Sequence, residues 1–329
     1  MAKKDKVNYV RARKTFRLPM SGNKIRHANV HGTMTVDQLI QQMDGCAFGA
    51  GRLARACDIL EEMQADDVTK FFGLSGAMVP AGMRKIVSDM IREGYIDILV
   101  TTGANMVHDL IEGCGGEHTM GSETCDDFEL RKEHINRIYD VFLADDCFEN
   151  LETKLQNVYG SLDPKKTYSI REVMSEIGKN IDDKESILRS AYDMNVPVYC
   201  PAIQDSVIGL QAWLFNQGSN MNVDAFKDMR ELIDRCFEAK RTGALLLGGG
   251  VPKNYILQCM LVTPKNGYDY VIQLTMDRAE TGGLSGATLD EARSWGKVGE
   301  QSKTAQVFCD STIALPIMLA SVNERRAKK

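Results

Sequence analysis

Short apolar runs alternate along the chain with longer segments in which apolar residues recur every three to four positions. The run IDILV at 96–100 has the length and composition of a buried strand, and the segment 83–91 has the spacing of one helix face. Other apolar runs lie near residues 70, 197, 245, 271 and 307. The alternation predicts an α/β fold, a Rossmann-like and mostly parallel sheet of about six strands with helices on both faces.

The polar middle of the chain, residues 118–185, interrupts this alternation. It contains no glycine-rich turn of the phosphate-binding kind, so we interpret it as a helical excursion from the same domain. Its predicted helices cover residues 128–142, 147–155 and 169–177. Residues 1–33 are polar and are predicted to be an N-terminal arm, and residues 34–329 are predicted to be a single domain.

Composition narrows the class of protein. The chain of 329 residues is 43% hydrophobic and 26% charged, which is typical of a globular protein. A net charge of -5 gives no indication of nucleic-acid binding, and we interpret the basic clusters at the two ends as solvated tails. The sequence has neither a signal peptide nor an apolar run of about 18 residues, so no membrane span is expected.

The nine cysteines are scattered and form no CxxC pair, which is typical of reduced thiols in a cytoplasmic protein. The grouping along the sequence that most resembles a set of metal ligands is Cys114, His118 and Cys125. Because no fourth ligand accompanies them, we predict an ordinary loop and no metal.

The segment 281–297, TGGLSGATLDEARSWGK, is the first candidate site. Its glycines form a loop that lets another molecule approach the backbone closely. Lys297 follows Trp295 and a glycine, so partial burial is expected. Burial disfavours the charged form of an amine, and the neutral amine is the nucleophile that forms Schiff bases. The alternative is a surface lysine that extends past a tryptophan.

A second candidate site is the turn after the apolar strand at 243–247, where Gly248, Gly249 and Gly250 precede Val251 and Pro252. A strand that ends in glycines before a helix directs backbone N–H groups and the helix dipole at an anion, such as a dinucleotide pyrophosphate. The turn lacks the GxGxxG pattern, so a tight turn without a ligand stays an alternative.

The chain also resembles the deoxyhypusine synthase family. The matches run in the family's order over about residues 35 to 322. They are VTTGANMVHDLIE at 100–112, VPVYCPAIQD at 196–205, GGGVPK at 248–253, SGATLDEA at 285–292, SWGK at 294–297 and VFCDST at 307–312.

The resemblance implies an enzyme that uses NAD to oxidise spermidine. The resulting four-carbon imine moves onto an enzyme lysine as a Schiff base, passes to another amine and is reduced. In the true synthase the acceptor is a lysine of a translation-factor precursor. The resemblance further implies a homotetramer of tight dimers with active sites at the dimer interface, and an N-terminal arm that can block them.

The resemblance also assigns roles by position. Lys297 would form the Schiff base, Trp295 would line the amine channel, and Glu291 would lie near the amine. The residues that would contact NAD are Thr102, Gly103, Asp205, Gly249, Gly250, Gly282, Ser285 and Asp310.

Four positions depart from the family's pattern. Asn254 replaces a histidine in the amine site, and Leu210 and Leu284 replace acids that hold the ammonium groups of a polyamine. Each lost charge-assisted hydrogen bond costs about 1.5–3 kcal/mol, unless acids such as Glu280, Asp277, Glu291 and Glu300 compensate. His108 replaces a glutamate of the eukaryotic pattern. Either His108, followed by Asp109, is the general base, or it is a cofactor-facing or packing histidine on a helix.

Three functions remain open at this point. The first is deoxyhypusine synthesis on a protein lysine. The second keeps the chemistry but uses a small amine as acceptor, as a homospermidine synthase does. The third is a non-catalytic NAD-binding scaffold in which Lys297 is inert.

Overall fold

The computed structural model describes residues 24–65 and 67–328. Its strands are β1 (Val68–Leu74), β2 (Ile98–Thr101), β3 (Thr119–Met120), β4 (Ile135–Ile138), β5 (Val141–Ala144), β6 (Thr167–Tyr168), β7 (Val198–Tyr199), β8 (Asn222–Val223), β9 (Arg241–Leu247), β10 (Tyr268–Thr275) and β11 (Val298–Phe308).

The helices connect these strands as the apolar spacing predicts. They are α1 (Val36–Met43), α2 (Phe48–Glu62), α3 (Arg84–Arg92), α4 (Gly103–Gly113), α5 (Asp127–Lys132), α6 (Asp146–Ser161), α7 (Ile170–Lys179), α8 (Ile187–Asp193), α9 (Val207–Phe215), α10 (Ala225–Glu238), α11 (Gly250–Gln258), α12 (Leu289–Ser294) and α13 (Ser311–Ala327). Short π and 3-10 helices lie at Val79–Met83, Cys259–Val262 and Ala279–Thr281.

Six strands form one parallel sheet in the order β11-β10-β9-β1-β2-β7, which confirms the predicted fold class. The central pair, β1 and β9, is in register over seven residues, from Val68 opposite Arg241 to Leu74 opposite Leu247. Both strands are almost entirely buried, as expected where helices cover both faces of a parallel sheet. A Rossmann-like core therefore positions the segments that carry the candidate site.

The two faces of the sheet have separate cores. Phe72 on β1 packs with residues of α2, α4 and α13, whereas its neighbour Phe71 packs with residues of α10, α11 and α12. Successive strand residues point to opposite faces, so this division follows from the strand geometry. We call these the α4 face and the α11 face.

The middle of the chain differs from the prediction. A helix over 128–142 is wrong, because α5 ends at Lys132 and an antiparallel sheet β3-β5-β4 follows. His134 and Tyr139 have φ values of 57° and 55°, which an α-helix cannot contain. The predicted helices at 147–155 and 169–177 are confirmed as α6 and α7.

The predicted arm, residues 1–33, lies outside the described residues as far as residue 23. The remaining part, 24–33, contains no helix or strand and lies against the end of α1. The Arg26 N–H donates to the Gly45 carbonyl at 2.9 Å, and the Arg26 side chain pairs with Asp44 at 2.9 Å. Within the part of the chain that the structure describes, no helix has the length and apolar character needed to cross a bilayer.

Candidate active site

The end of α12 fixes the position of Lys297. The Gly296 N–H donates to the Arg293 carbonyl at 2.9 Å, and the Lys297 N–H donates to the Ala292 carbonyl at 3.0 Å. This pair of bonds is a Schellman motif, which needs a left-handed residue after the helix, and Gly296 has φ 72°. The order Trp-Gly-Lys thus places a tryptophan as the helix cap, a glycine in the turn and the lysine directly before β11.

Lys297 is partly buried, as the sequence predicts, and its side chain borders a cavity of about 180 Å³ on the α11 face. We call this the amine cavity, and it lies between α11, α12 and the loop before α12. Predicted substrate residues Asn254, Glu291 and Trp295 all line it. The remaining lining residues are Lys253, Leu257, Leu284, Ala287, Thr288 and Ala292.

A short hydrogen-bond chain orients the Lys297 amine. Its Nζ donates to Asn254 Oδ1 at 2.9 Å, and Asn254 Nδ2 donates to Gln258 Oε1 at 3.0 Å. Because Gln258 accepts from the Asn254 amide nitrogen, the amide oxygen faces the lysine. The amine also lies 5.7 Å from the centroid of the Trp295 ring, so an aromatic face and one amide hold it.

Lys253 is a site residue that the sequence reasoning missed. It is 4% exposed, and its ammonium donates to Gln273 Oε1 at 3.1 Å and to the carbonyls of Leu284 at 3.0 Å and Ala287 at 2.6 Å. Burial lowers the pKa of Lys253 to about 8; the charge of Glu291 opposes this shift and the charge of Lys297 adds to it. The sequence signal that could have indicated Lys253 is its position three residues after the glycine turn.

Gln273 is a second missed residue and connects the two candidate segments. It is fully buried on β10, and its Nε2 donates to the Gly248 carbonyl at 2.9 Å and to the Ser285 carbonyl at 3.0 Å. Its Oε1 accepts from Lys253, so one side chain joins the glycine turn, the loop and the buried ammonium. A glutamine inside the apolar strand YDYVIQLT was its sequence signal.

A second cavity, of about 370 Å³, lies at the carboxyl ends of β1, β9, β10 and β11. We call it the strand-end crevice. It brings together four predicted cofactor residues: Gly249, Gly250, Ser285 and Asp310. It also contains Gly248 of the predicted glycine turn and Asp277, one of the acids expected to compensate. The sequence assigned no role to the other lining residues, which are Ser75, Gly76, Met78, Thr275, Met276, Cys309 and Ser311.

Close packing explains the glycines of this crevice. A Cβ atom at Gly249 would overlap the backbone of Ser285, so only glycine lets the turn and the loop approach this closely. Gly250 has φ 57° and begins α11, and a Cβ there would meet nothing within 4 Å. Backbone N–H groups at the start of a nine-residue helix therefore border open space. Ser285 Oγ also bonds Asp277.

The other predicted cofactor residues do not line the crevice of this chain. Thr102 caps α4 by accepting from the Asn105 N–H at 3.3 Å, and Gly103 is buried where a Cβ would overlap Ser206. Asp205 is exposed in the turn after β7. Gly282, with φ 72°, is exposed in the loop before α12. The roles of these residues stay predictions.

His108 lies on α4 in a chain of polar side chains. Its Nδ1 is 2.9 Å from His118 Nε2, and His118 Nδ1 is 2.7 Å from Glu112 Oε1. Because Glu112 accepts the His118 proton, we assign the tautomer in which His108 Nδ1–H donates to His118 and His108 Nε2 is left as an acceptor. Burial, with a smaller contribution from the His118 charge, lowers the pKa of His108 to about 4.

His118 therefore lies with His108 and Glu112 and not in a cysteine cluster. Among residues 24–65 and 67–328, no group of three or more histidine, cysteine, aspartate or glutamate side chains could hold a metal ion.

Asp109, next to His108, is fully buried. It accepts from Arg84 Nε at 2.7 Å, from Ser186 Oγ at 2.8 Å and from the backbone N–H groups of Ile187 and Leu188 at 2.9 and 3.0 Å. These bonds hold the first turn of α8 against α4.

Two of the four departures from the family's pattern, the leucines, lie at exposed positions, whereas Asn254 and His108 are partly buried. Leu284 lines the amine cavity and is 46% exposed, and Leu210 is exposed on α9. Of the four acids expected to compensate, only Glu291 lines the amine cavity. Asp277 lines the strand-end crevice, while Glu280 and Glu300 line neither.

Fold and site together define a parallel α/β protein with a glycine-lined crevice next to a lysine-containing cavity. The family described as deoxyhypusine synthase matches residues 38–322. A Methanosarcina thermophila protein named "Probable deoxyhypusine synthase" is 60% identical over 306 residues, which is 93% of this chain and 96% of that protein. An Archaeoglobus fulgidus protein named "Probable deoxyhypusine synthase 1" is 43% identical over 92% of this chain and 98% of its own length.

A solved structure from Entamoeba histolytica, whose description contains the words deoxyhypusine synthase, has the same fold. It superposes with a TM-score of 0.63 at 14% identity and covers 90% of this chain and 96% of that one. The chain belongs to the deoxyhypusine synthase family. It is accordingly an enzyme that transfers an aminobutyl group.

Proposed function

We propose that this enzyme transfers the 4-aminobutyl group of spermidine, through an imine on Lys297, to a lysine of a translation-factor precursor, with NAD as the cofactor. The observation that carries the proposal is the position of Lys297. A Schellman motif holds it at a mostly apolar cavity, and Asn254 accepts a hydrogen bond from its amine at 2.9 Å. A positioned, partly desolvated amine suits Schiff-base chemistry.

The residues of the strand-end crevice fit a dinucleotide. Gly249 and Gly250 offer backbone N–H groups at the start of α11, where a pyrophosphate is favoured, whereas the Gly248 N–H already donates to the Leu274 carbonyl at 2.7 Å. The carboxylates of Asp277 and Asp310 suit ribose hydroxyls. Asn105 Oδ1, buried at the neighbouring strand end, has no hydrogen-bond partner among the described residues. When bound, NAD supplies the removal and return of a hydride.

The two cavities share a wall. Leu284 lines the amine cavity, and the next residue, Ser285, lines the crevice. Helix α11 likewise contributes Gly250 to the crevice and Asn254 to the amine cavity. This proximity supports one reaction centre for the cofactor and the amine.

Lys297 exchanges amines without a net change in oxidation state. Its Nζ adds to the imine carbon of the oxidised donor, the original amine leaves with a proton, and the four-carbon unit stays on Lys297 as an imine. The acceptor lysine then displaces Lys297 in the same way. In this proposal Trp295 and Glu291 bind the unit, and His108 accepts a proton through its Nε2.

Lys297 and His108 lie on opposite faces of the sheet in one chain, so a shared centre needs a second copy. We therefore propose a homotetramer with active sites at an interface. Exposed apolar residues on α9, Leu210, Trp213 and Leu214, support an interface. We also propose a cytoplasmic location, in keeping with nine cysteines that are all free thiols.

Product identification by mass spectrometry tests the function. Purified enzyme is incubated with NAD and spermidine, with and without the acceptor protein and with and without putrescine. We expect one butylamine unit on a lysine of the acceptor protein. Homospermidine without protein modification would support the small-amine alternative, which the leucines at 210 and 284 favour. Neither product, together with no borohydride-trapped Lys297 adduct, would favour the scaffold.

A further inference from the structure

We propose that Glu112 and His118 are positioning residues for the reaction, and that they hold His108 in the form whose free Nε2 accepts a proton from the reacting amine. The inference rests on the proposed function, in which His108 is the base. It adds a role for two residues that line neither the amine cavity nor the strand-end crevice. Every contact that carries it lies within one chain.

The end of α4 brings the three side chains together. His108 and Glu112 are four residues apart on this helix and therefore lie on the same face. The chain turns back after the helix, where Gly115 has φ 89° and its N–H donates to the Glu112 carbonyl at 2.9 Å. His118 thus returns over this face of α4, and its ring joins the other two side chains.

The hydrogen bonds of this chain of side chains run in one direction. A carboxylate can only accept, so His118 Nδ1 carries the hydrogen of the 2.7 Å bond to Glu112. His118 Nε2 is then an acceptor, and His108 Nδ1 carries the hydrogen of the 2.9 Å bond between the rings. Both nitrogens of His118 are used, and the lone pair of His108 Nε2 stays free.

The surroundings hold this arrangement in place. Arg84 Nη1 lies 3.5 Å from Glu112 Oε2, so the carboxylate has a cationic partner on its other oxygen. The His118 side chain is only 6% exposed. A second copy of the chain can therefore reach the free Nε2 of His108, but it has little access to the bonds of His118.

Glu112 also favours the transfer of the proton itself. Burial is the main cause that lowers the pKa of His108 to about 4, and the charge of Glu112 opposes this shift. The carboxylate thus stabilises the imidazolium that forms when Nε2 takes the proton from the amine. An acid that orients a histidine and stabilises its charged form is the arrangement of a catalytic triad.

NMR of enzyme labelled with ¹⁵N-histidine tests the tautomer without catalysis. Ring nitrogens with and without a hydrogen differ in chemical shift, and the His108 signals are assigned by their loss in His108→Gln. We expect a hydrogen on His108 Nδ1 and none on Nε2. In Glu112→Ala, with the fold intact by circular dichroism, the second tautomer should appear. A hydrogen on Nε2 in the parent, or an unchanged tautomer in Glu112→Ala, would overturn the inference.

Kinetics test the role in the reaction. Formation of the borohydride-trapped adduct is measured against spermidine concentration with NAD present. His118→Leu should lower kcat by about tenfold to a hundredfold, because a general base contributes about 10²–10⁴-fold and its orientation is lost, while KM should change less than about threefold. His118→Gln should restore most of the rate, since its amide oxygen can accept from His108 and its amide nitrogen can donate to Glu112.

The controls separate this inference from the proposed function. Glu117→Ala, at an exposed carboxylate of the same segment, should change neither the tautomer nor the rate. Equal losses in His118→Leu and His118→Gln would indicate packing and contradict the inference. Full turnover in His108→Gln would also contradict it, yet would leave the lysine chemistry intact. If no donor gives an adduct with the parent enzyme, the proposed function fails, and the NMR result alone decides whether His108 Nε2 is free.

Discussion

The two faces of the sheet carry different polar chemistry. On the α11 face, Lys253 and Lys297 border a cavity with one carboxylate. On the α4 face, His108, His118 and Glu112 form a hydrogen-bonded chain. The end of α12 fixes the position of Lys297, and the loop before α12 accepts hydrogen bonds from Lys253. The histidines, in contrast, are held by hydrogen bonds between side chains of α4 and of the segment that follows it. The comparison shows that one chain places the candidate amine nucleophile and the candidate base on opposite faces of the sheet.

The largest expected effect is on the α11 face. Lys297→Ala should remove the trapped adduct and lower turnover by more than about a thousandfold, because the nucleophile is lost. Lys303→Ala, at an exposed lysine on β11 that pairs with Glu62, is the control and should keep full turnover. NAD affinity, measured by calorimetry, should persist in both variants. A trapped adduct in Lys297→Ala would assign the chemistry to another lysine.

A mixing experiment tests whether the faces meet between copies. His108→Ala and Lys297→Ala are each expected to be inactive. When they are refolded together, about a quarter of the sites in randomly formed dimers should regain both residues. Turnover of the mixture is compared with that of each variant alone. No recovery, in assemblies shown by mass spectrometry to be mixed, would mean that His108 and Lys297 do not share a site.

The buried pair beneath His108 should govern stability. Asp109→Ala leaves Arg84 without its one fully buried carboxylate partner and the first turn of α8 without its acceptor, so the free energy of unfolding should fall by about 3–5 kcal/mol. Asp89→Ala, which breaks an exposed pair with Lys85, should cost less than about 1 kcal/mol. Urea denaturation gives both values. Equal losses would show that Asp109 does not anchor α8.

A smaller effect is expected at the turn before Lys297. Gly296→Ala imposes a left-handed conformation on alanine and should cost about 1–2 kcal/mol of stability. The strain should also displace Lys297, so turnover should fall. Gly49→Ala, where φ is not positive and a Cβ meets nothing within 4 Å, is the control. Unchanged stability and turnover in Gly296→Ala would mean that the turn does not fix the lysine.

The smallest effect is a pH dependence on the α4 face. The folded pKa of His108 is about 4, below its ordinary value of 6.5, so between these pH values the unfolded chain binds a proton that folded His108 does not. Stability should therefore fall as the pH drops through this window. His108→Gln should reduce that fall, and His31→Gln, at an exposed site, should not. Parallel pH curves for His108→Gln and the parent would contradict the depressed pKa.

The sequence predicts features that depend on short-range geometry. The six strands, the glycine turn and Trp295-Gly296-Lys297 each follow from local spacing, and the structure contains all of them. The sequence alone could not reveal Lys253 or Gln273, because their roles arise where α11, β10 and the loop before α12 pack together. The antiparallel strands at 135–144 were also missed, because two non-glycine residues adopt left-handed φ values there. No local pattern indicates that His118 would reach His108.

The start of β11 has a further consequence. The Lys297 carbonyl accepts the first hydrogen bond of the β10–β11 ladder, from the Tyr268 N–H at 3.1 Å. The proposed Schiff-base amine of Lys297 is therefore in place only when β11 has paired with β10. During synthesis, a ribosome-bound chain that has released residue 297 but not 298–308 holds the lysine without its ladder. Acquisition of Lys297 reactivity would then mark the completion of the sheet.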